Sequence, residues 1–125
     1  MKICVVDDSQ LDRKLLMATL QKSGIENEFL QADDGEEALE ILDAESDHIC
    51  LVFLDWQLPK MDGLEVLKRI AKNPKTESLP IIMLTSAISP ESEEIAHLLN
   101  PNLKAFIVKP LDPDKVVEAA RPHIK

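Results

Sequence analysis

The sequence predicts an α/β fold in which five strands alternate with five helices and pair into a parallel sheet. Short apolar runs typical of buried strands recur along the 125 residues, and a segment with helical spacing follows each of them. No linker, repeat or low-complexity tract interrupts this alternation. With 45% hydrophobic residues, a chain of this length can build one sizeable core, so we expect a single domain over residues 1–125.

The first unit begins with a strand from Lys2 to Val6, and Ser9 is positioned to cap the helix that follows, with Asp12 three residues on. Gly24 is expected to end that helix. Helical spacing predicts three side chains on its buried face: Leu11, Leu15 and Ala18.

The second unit has a less marked strand from about Glu28 to Gln31, and Asp34 is a plausible cap for its helix. The side chains expected to be buried by this helix are Ala38, Leu39 and Leu42. The third strand covers about Ile49 to Leu54, and its helix begins near Asp62 and ends before Pro74. Its expected core side chains are Leu64, Leu67 and Ile70.

The fourth strand is predicted from Ile81 to Leu84, and Ser89 followed by Pro90 marks the start of its helix. That helix should end at Asn100 and present Ile95, Leu98 and Leu99. The fifth strand is predicted from Ala105 to Val108. Asp112 and Pro113 begin the last helix, Pro122 ends it, and its expected core side chains are Val116, Val117 and Ala120.

Charge and composition exclude several classes of function. The formal net charge is -9 and the pI about 4.7, which disfavours binding to nucleic acid or to anionic membranes. No apolar run could span a bilayer and the start lacks a signal-peptide cleavage region, so we expect a cytoplasmic protein. Cys4 and Cys50 lack CxxC spacing and are expected to be buried, reduced thiols. No glycine-rich nucleotide loop is present, and the three histidines are too scattered for a zinc site.

Polar side chains follow four of the five predicted strands at their carboxyl ends. Asp7 and Asp8 follow the first strand, Asp55 the third, Thr85 the fourth and Lys109 the fifth. Open parallel sheets bind ligands at this edge, and right-handed crossovers would place the first and third strands side by side. The sequence therefore predicts three carboxylates in one crevice.

Three adjacent carboxylates repel one another unless a cation neutralises them, and Mg²⁺ suits a site with one or two direct carboxylates and several waters. One acid would remain free to attack a phosphoryl donor, while Lys109 and Thr85 could hold the transferred group. Each residue could instead be a cap, a solvated turn or a surface charge. Those separate roles do not explain why the groups of a metal-assisted phosphoryl site follow four strands.

The sequence resembles the receiver domain of bacterial response regulators, in particular the stand-alone chemotaxis type. Four segments carry the resemblance, which covers the whole chain: VVDDS (5–9), LDWQLPKMDG (54–63), MLTSA (83–87) and FIVKP (106–110). It implies a flavodoxin-like fold with strand order 2-1-3-4-5 and helices on both faces of the sheet. The chain ends with the fifth helix, so we expect no output domain.

The resemblance also implies roles for individual residues. Asp55 would be the phosphoacceptor, and Mg²⁺ would be held by Asp8, Asp55 and the backbone carbonyl of Gln57, with Asp7 acting through water. Thr85 and Lys109 would hold the phosphoryl oxygens, and the Lys109–Pro110 peptide bond would be cis. Phosphorylation would draw Thr85 inward and let Phe106 turn in, which would change the surface of helix four, strand five and helix five.

We therefore expect a single-domain response regulator of a two-component system, a phosphoprotein switch rather than a metabolic enzyme. Its expected partners are a sensor histidine kinase or histidine phosphotransfer protein and a downstream protein target. One alternative is a degenerate receiver that acts as a phosphorylation-independent docking module. Another is a Mg²⁺-dependent phosphatase, which would need an acid at position 57, where Gln57 stands.

Overall fold

The computed structural model describes residues 1–125 and contains one five-stranded parallel sheet with the order β2-β1-β3-β4-β5. The strands are β1 (Lys2–Val6), β2 (Glu28–Ala32), β3 (Ile49–Asp55), β4 (Ile81–Thr85) and β5 (Leu103–Val108). The helices are α1 (Gln10–Lys22), α2 (Gly35–Glu45), α3 (Gly63–Lys72), α4 (Pro90–Leu99) and α5 (Pro113–Ala120). This architecture confirms the predicted fold class and strand order.

Two apolar cores lie on opposite faces of the sheet, because successive side chains of a strand point to opposite faces. On one face, α1 and α5 contribute Leu16, Leu20, Val116 and Ala120. On the other face, α2, α3 and α4 contribute Ala38, Leu42, Val66, Leu67, Ile70 and Ala96. All seven residues of the central strand β3 are buried, including its last residue, Asp55.

Each of the five helices begins directly after the residue that the sequence predicts at its start. The side chain of each cap accepts a hydrogen bond from a backbone N–H in the first turn, which satisfies a donor that the helix itself leaves unpaired. The caps are Ser9, Asp34, Asp62, Ser89 and Asp112. The buried, unpaired thiols of Cys4 and Cys50 also match the prediction.

The predicted buried face of α1 is wrong. Leu11 and Leu15 are 65% and 57% exposed and Ala18 is also exposed, whereas Leu16 and Leu20 are buried against the sheet. The helix carries apolar side chains on more than one face, so periodicity alone could not select the face that packs.

The prediction for α4 is wrong in a similar way. Ile95 and Leu98 are 50% and 79% exposed, and Ala96 is the one fully buried side chain of this helix. Packing through the small side chain of Ala96 brings α4 close to the core and leaves the larger apolar side chains outside. The helix therefore presents an apolar surface next to β5.

Candidate functional site

The carboxyl ends of β1 and β3 bring three aspartates together. The parallel register pairs Val6 with Leu54, so the residues that follow them, Asp7 and Asp55, are neighbours. Asp7, Asp8 and Asp55 each offer a carboxylate oxygen within 4.8 Å of the others. Asp7 and Asp55 are only 2% and 6% exposed, whereas Asp8 is exposed.

The ammonium group of Lys109 lies against this cluster. Its Nζ donates to Oδ2 of Asp55 at 2.8 Å and to Oδ2 of Asp7 at 3.0 Å. A further bond of 3.2 Å goes to Oδ2 of Asp12, in the first turn of α1. The sequence pattern predicts Asp12 only as part of a helix start, and the one signal for a role in the site was an acid in the first turn of the helix that follows Asp7 and Asp8.

Backbone hydrogen bonds fix the carboxylates and their neighbours. The N–H of Ser9 donates to Oδ1 of Asp7 at 2.9 Å, and the N–H of Gln57 donates to Oδ1 of Asp55 at 3.1 Å. The N–H of Lys109 donates to the carbonyl of Thr85 at 2.7 Å, which joins the strand ends of β5 and β4. Both buried carboxylates are thus oriented before any ligand arrives.

A glycine allows the loop after β3 to pack closely behind Asp55. The N–H of Gly63 donates to the carbonyl of Trp56 at 2.7 Å. A Cβ at position 63 would lie 2.5 Å from the backbone oxygen of Asp55 and 2.7 Å from Cα of Trp56. Only glycine leaves room for this approach.

Burial and neighbouring charge act in opposite directions on the central ion pair. Burial raises the pKa of Asp55, with a further contribution from the charge of Asp7, and outweighs the lowering by the hydrogen bonds from Lys109 and Gln57. For Lys109, burial lowers the pKa, but the hydrogen bonds to Asp55 and Asp7 more than compensate, so the pKa lies above its ordinary value. The carboxylate cluster therefore holds the lysine charged, while the charge on Asp55 remains costly.

The other predicted site residues lie around the cluster. Thr85 is buried, and its hydroxyl donates to the carbonyl of Ala87 at 2.7 Å rather than to a carboxylate. The ring of Phe106 packs 6.0 Å from that of Trp56 and 5.6 Å from that of His97, measured between centroids. Gln57 is exposed, and the role expected for its carbonyl stays a prediction. The Lys109–Pro110 peptide bond is cis, as expected.

The donor set fits a hard divalent cation. Three carboxylates converge from two adjacent strand ends, and exposed Asp8 leaves one side of the cluster open to solvent. Such cations take oxygen ligands from carboxylates, carbonyls and water, and no nitrogen or sulfur ligand is present in the cluster. Asp7, Asp8 and Asp55 are therefore able to bind a metal ion.

Comparison with known proteins agrees with this geometry. The chain is 36% identical to chemotaxis protein CheY1 of Helicobacter pylori over 118 residues, which cover 94% of this chain and 92% of that protein. Its fold is similar to that of Vibrio cholerae chemotaxis protein CheY4, with a TM-score of 0.83, 29% identity and coverage of 98% and 97%. It is also similar to the Mn²⁺-bound form of response regulator Rcp1, with a TM-score of 0.82, 26% identity and coverage of 99% and 94%.

None of the helices combines the length and apolar character needed to cross a membrane. The family profile of the response regulator receiver domain matches residues 3–121, which include all five helices and every strand residue except Lys2, the first residue of β1. The chain therefore belongs to the family of response regulator receiver domains.

Proposed function

We propose that this chain is a single-domain response regulator that accepts a phosphoryl group on Asp55 from a histidine of a sensor kinase or histidine phosphotransfer protein. The observation that carries the proposal is the buried Asp55 carboxylate, which lies beside Asp7 and Asp8 and accepts a hydrogen bond from Lys109. The expected cytoplasmic location is part of the proposal, because it would place the chain with such donors.

The proposed reaction transfers the phosphoryl group from nitrogen to oxygen. A carboxylate oxygen of Asp55 attacks phosphorus, the P–N bond breaks, and the imidazole nitrogen keeps the bonding electron pair. The N–H of Gln57 and the ammonium of Lys109 hold the two carboxylate oxygens, so the attacking group is already oriented. Attack of water on the resulting acyl phosphate would release inorganic phosphate and regenerate Asp55.

We assign Mg²⁺ as the resident metal, held by Asp8, Asp55 and the carbonyl of Gln57, with Asp7 acting through water. When bound, it would offset the negative charge of the carboxylates and of the incoming phosphoryl oxygens. The acidic cluster able to hold a metal supports this assignment. Lys109 supplies a second positive charge, from the side of β5.

The proposed switch begins at Thr85. Its hydroxyl must leave the carbonyl of Ala87 to donate to a phosphoryl oxygen, and that movement would vacate space for Phe106. Phe106 packs against His97 of α4, so a change in its position would reach the exposed side chains of that helix. We propose that the downstream partner reads this surface of α4, β5 and α5, on which Ile95, Leu98 and Val108 are exposed.

The alternative of a docking module is disfavoured because the buried carboxylates of Asp7 and Asp55 and the partly buried Lys109 form a charged cluster that docking does not require. Burying such charges is costly, and a docking role offers nothing to offset that cost. The phosphatase alternative lacks an acid at position 57, where Gln57 stands.

The test uses the fluorescence of Trp56, the neighbour of Asp55, while Mg²⁺ and then acetyl phosphate are added. Intact-mass measurement detects a phosphoryl adduct in parallel. We expect a Mg²⁺-dependent adduct in the parent protein, its loss in Asp55→Asn, and its retention in Asp47→Asn, which removes an exposed acid from the 3₁₀ turn (Ser46–His48) before β3.

Two results would contradict the proposal. The first is an adduct that persists in Asp55→Asn. The second is the absence of any adduct, both with acetyl phosphate and with a phosphorylated histidine donor. Equal recovery of partners in a pull-down with phosphorylated and unphosphorylated protein would instead contradict the switch and favour the docking module.

A further inference from the structure

The Lys109 ammonium has three N–H donors, and each is used by a different carboxylate. The Oδ2 atoms of Asp55, Asp7 and Asp12 lie 2.8, 3.0 and 3.2 Å from Nζ. An ammonium group has no further donor. In this state, Lys109 can bind a phosphoryl oxygen only if one of these carboxylates releases it.

Asp12 is held in place by a closed ring of hydrogen bonds. Its N–H donates to Oγ of Ser9 at 3.2 Å, and the N–H of Ser9 donates to Oδ1 of Asp7 at 2.9 Å. Lys109 closes the ring by donating to both Asp7 and Asp12. The position of the Asp12 carboxylate is therefore coupled to the site, although Asp12 lies on α1 and its side chain is 41% exposed.

Asp12 differs from the other two partners of Lys109 because it is not one of the carboxylates that converge as candidate metal ligands, which are Asp7, Asp8 and Asp55. A divalent cation bound at the cluster would offset the negative charge of Asp7 and Asp55, which would weaken their attraction for Lys109. The attraction of Asp12 would remain, because Asp12 is not among the carboxylates placed to hold the cation.

We propose that Asp12 is a positioning residue whose charge restrains Lys109, and that it thereby strengthens Mg²⁺ binding and weakens binding of the phosphoryl group. It strengthens Mg²⁺ binding because a lysine that also bonds to Asp12 neutralises less of the negative charge of Asp7 and Asp55. It weakens phosphoryl binding because it occupies a donor and repels a second anion. This inference rests on the proposed function, since it assumes that the phosphoryl group resides on Asp55.

The test compares Asp12→Asn, which keeps the size and a hydrogen-bond acceptor, with Asp12→Glu, which keeps the charge. Asp114→Asn is the matched control, because Asp114 is an exposed acid in the first turn of another helix, α5. Trp56 fluorescence gives the affinity for Mg²⁺ alone, and then for beryllium trifluoride, a phosphoryl analogue, at saturating Mg²⁺. Urea unfolding shows whether each variant is folded.

For Asp12→Asn we expect Mg²⁺ to bind roughly two- to fivefold more weakly and the analogue to bind more tightly by a similar factor, the scale of one partly exposed ion pair. Asp12→Glu should restore both affinities towards those of the parent, and Asp114→Asn should change neither. A merely structural role would weaken both affinities together or leave both unchanged, and either result would overturn the inference.

The parent protein separates this inference from the proposed function. If the parent forms an Asp55 adduct but Asp12→Asn behaves like the parent, only the role of Asp12 is refuted. If the parent binds neither Mg²⁺ nor the analogue, both the proposed function and the inference fail.

Discussion

Replacement of Lys109 by alanine should destabilise the metal-free protein strongly at neutral pH. Nζ contacts the side chains of Asp7 and Asp55, which are only 3% and 8% exposed, so the substitution leaves two nearly buried carboxylates without their cation. Removal of one partner from a fully buried ion pair costs about 3–5 kcal/mol. The lysine side chain is itself 23% exposed, so solvent recovers part of that loss. We expect the free energy of unfolding to fall by roughly 2–3 kcal/mol.

The dependence on pH and on metal distinguishes this electrostatic cost from simple loss of packing. The pKa of Asp55 is already raised by burial, and without Lys109 it should rise further. A carboxyl group with a raised folded-state pKa favours folding at acidic pH and loses that contribution as pH rises through the folded-state pKa. The deficit of Lys109→Ala should therefore shrink as pH falls from 7 towards 5, and Mg²⁺ at pH 7 should also reduce it.

The assay is urea unfolding at pH 7 with EDTA, at pH 7 with Mg²⁺, and at pH 5 with EDTA. Lys75→Ala is the matched control, because Lys75 is 64% exposed and lies 3.8 Å from Asp43 on the surface. Its effect should stay within about 0.5 kcal/mol under all three conditions. Two results would contradict an electrostatic cost: a Lys109→Ala variant as stable as the parent in EDTA, or a deficit that is independent of both pH and Mg²⁺.

Three other predictions test separate features of the fold, each with a control substitution. Gly63→Ala should cost about 1–3 kcal/mol and abolish the proposed adduct, because its Cβ would overlap backbone atoms of Asp55 and Trp56. Gly24→Ala, at φ 94° with open space around it, should cost about 1 kcal/mol and leave that adduct intact in the mass assay. Leu16→Ala should cost about 2–5 kcal/mol and Leu15→Ala less than about 0.5 kcal/mol in urea unfolding, and equal effects would contradict the observed packing of α1. Burial raises the pKa of Cys4 from 9.0 to about 12, so the free energy of unfolding should fall by about 1.4 kcal/mol per pH unit above pH 9. The same slope in a parallel titration of Cys4→Val would show that Cys4 is not the cause.

The helix starts could be predicted from sequence because their determinants are local. A cap such as Ser9 or Asp62 lies three residues before the backbone N–H that donates to its side chain, so the motif carries its own geometry. No such local determinant decides which face of a helix packs against the sheet. Leu15 and Leu16 are equally apolar neighbours, and only the docking of α1 against β1 and α5 decides which one is buried.

The site shows the same division between local and long-range information. Asp7, Asp55 and Lys109 could be predicted to converge, because the ends of parallel strands always meet at one edge of the sheet. The contact between Asp12 and Lys109 joins residues that are 97 positions apart, and it depends on how closely α1 approaches the end of β5. No sequence pattern encodes that distance.

The side chain and the backbone of Lys109 contact different parts of the fold. The ammonium bonds to carboxylates at the ends of β1 and β3 and on α1, while the N–H of the same residue bonds to the carbonyl of Thr85 at the end of β4. In the proposed reaction, a phosphoryl group on Asp55 that redirected the ammonium would therefore act on a residue already joined to Thr85, whose hydroxyl would also have to turn. A ligand shifts an equilibrium only through contacts that differ between the two states. The contacts whose loss phosphorylation would have to offset are the three carboxylate bonds of Lys109 and the Thr85–Ala87 bond. Asp12 adds to that energy, so we expect it to make the unphosphorylated state more strictly inactive than Asp7 and Asp55 alone would.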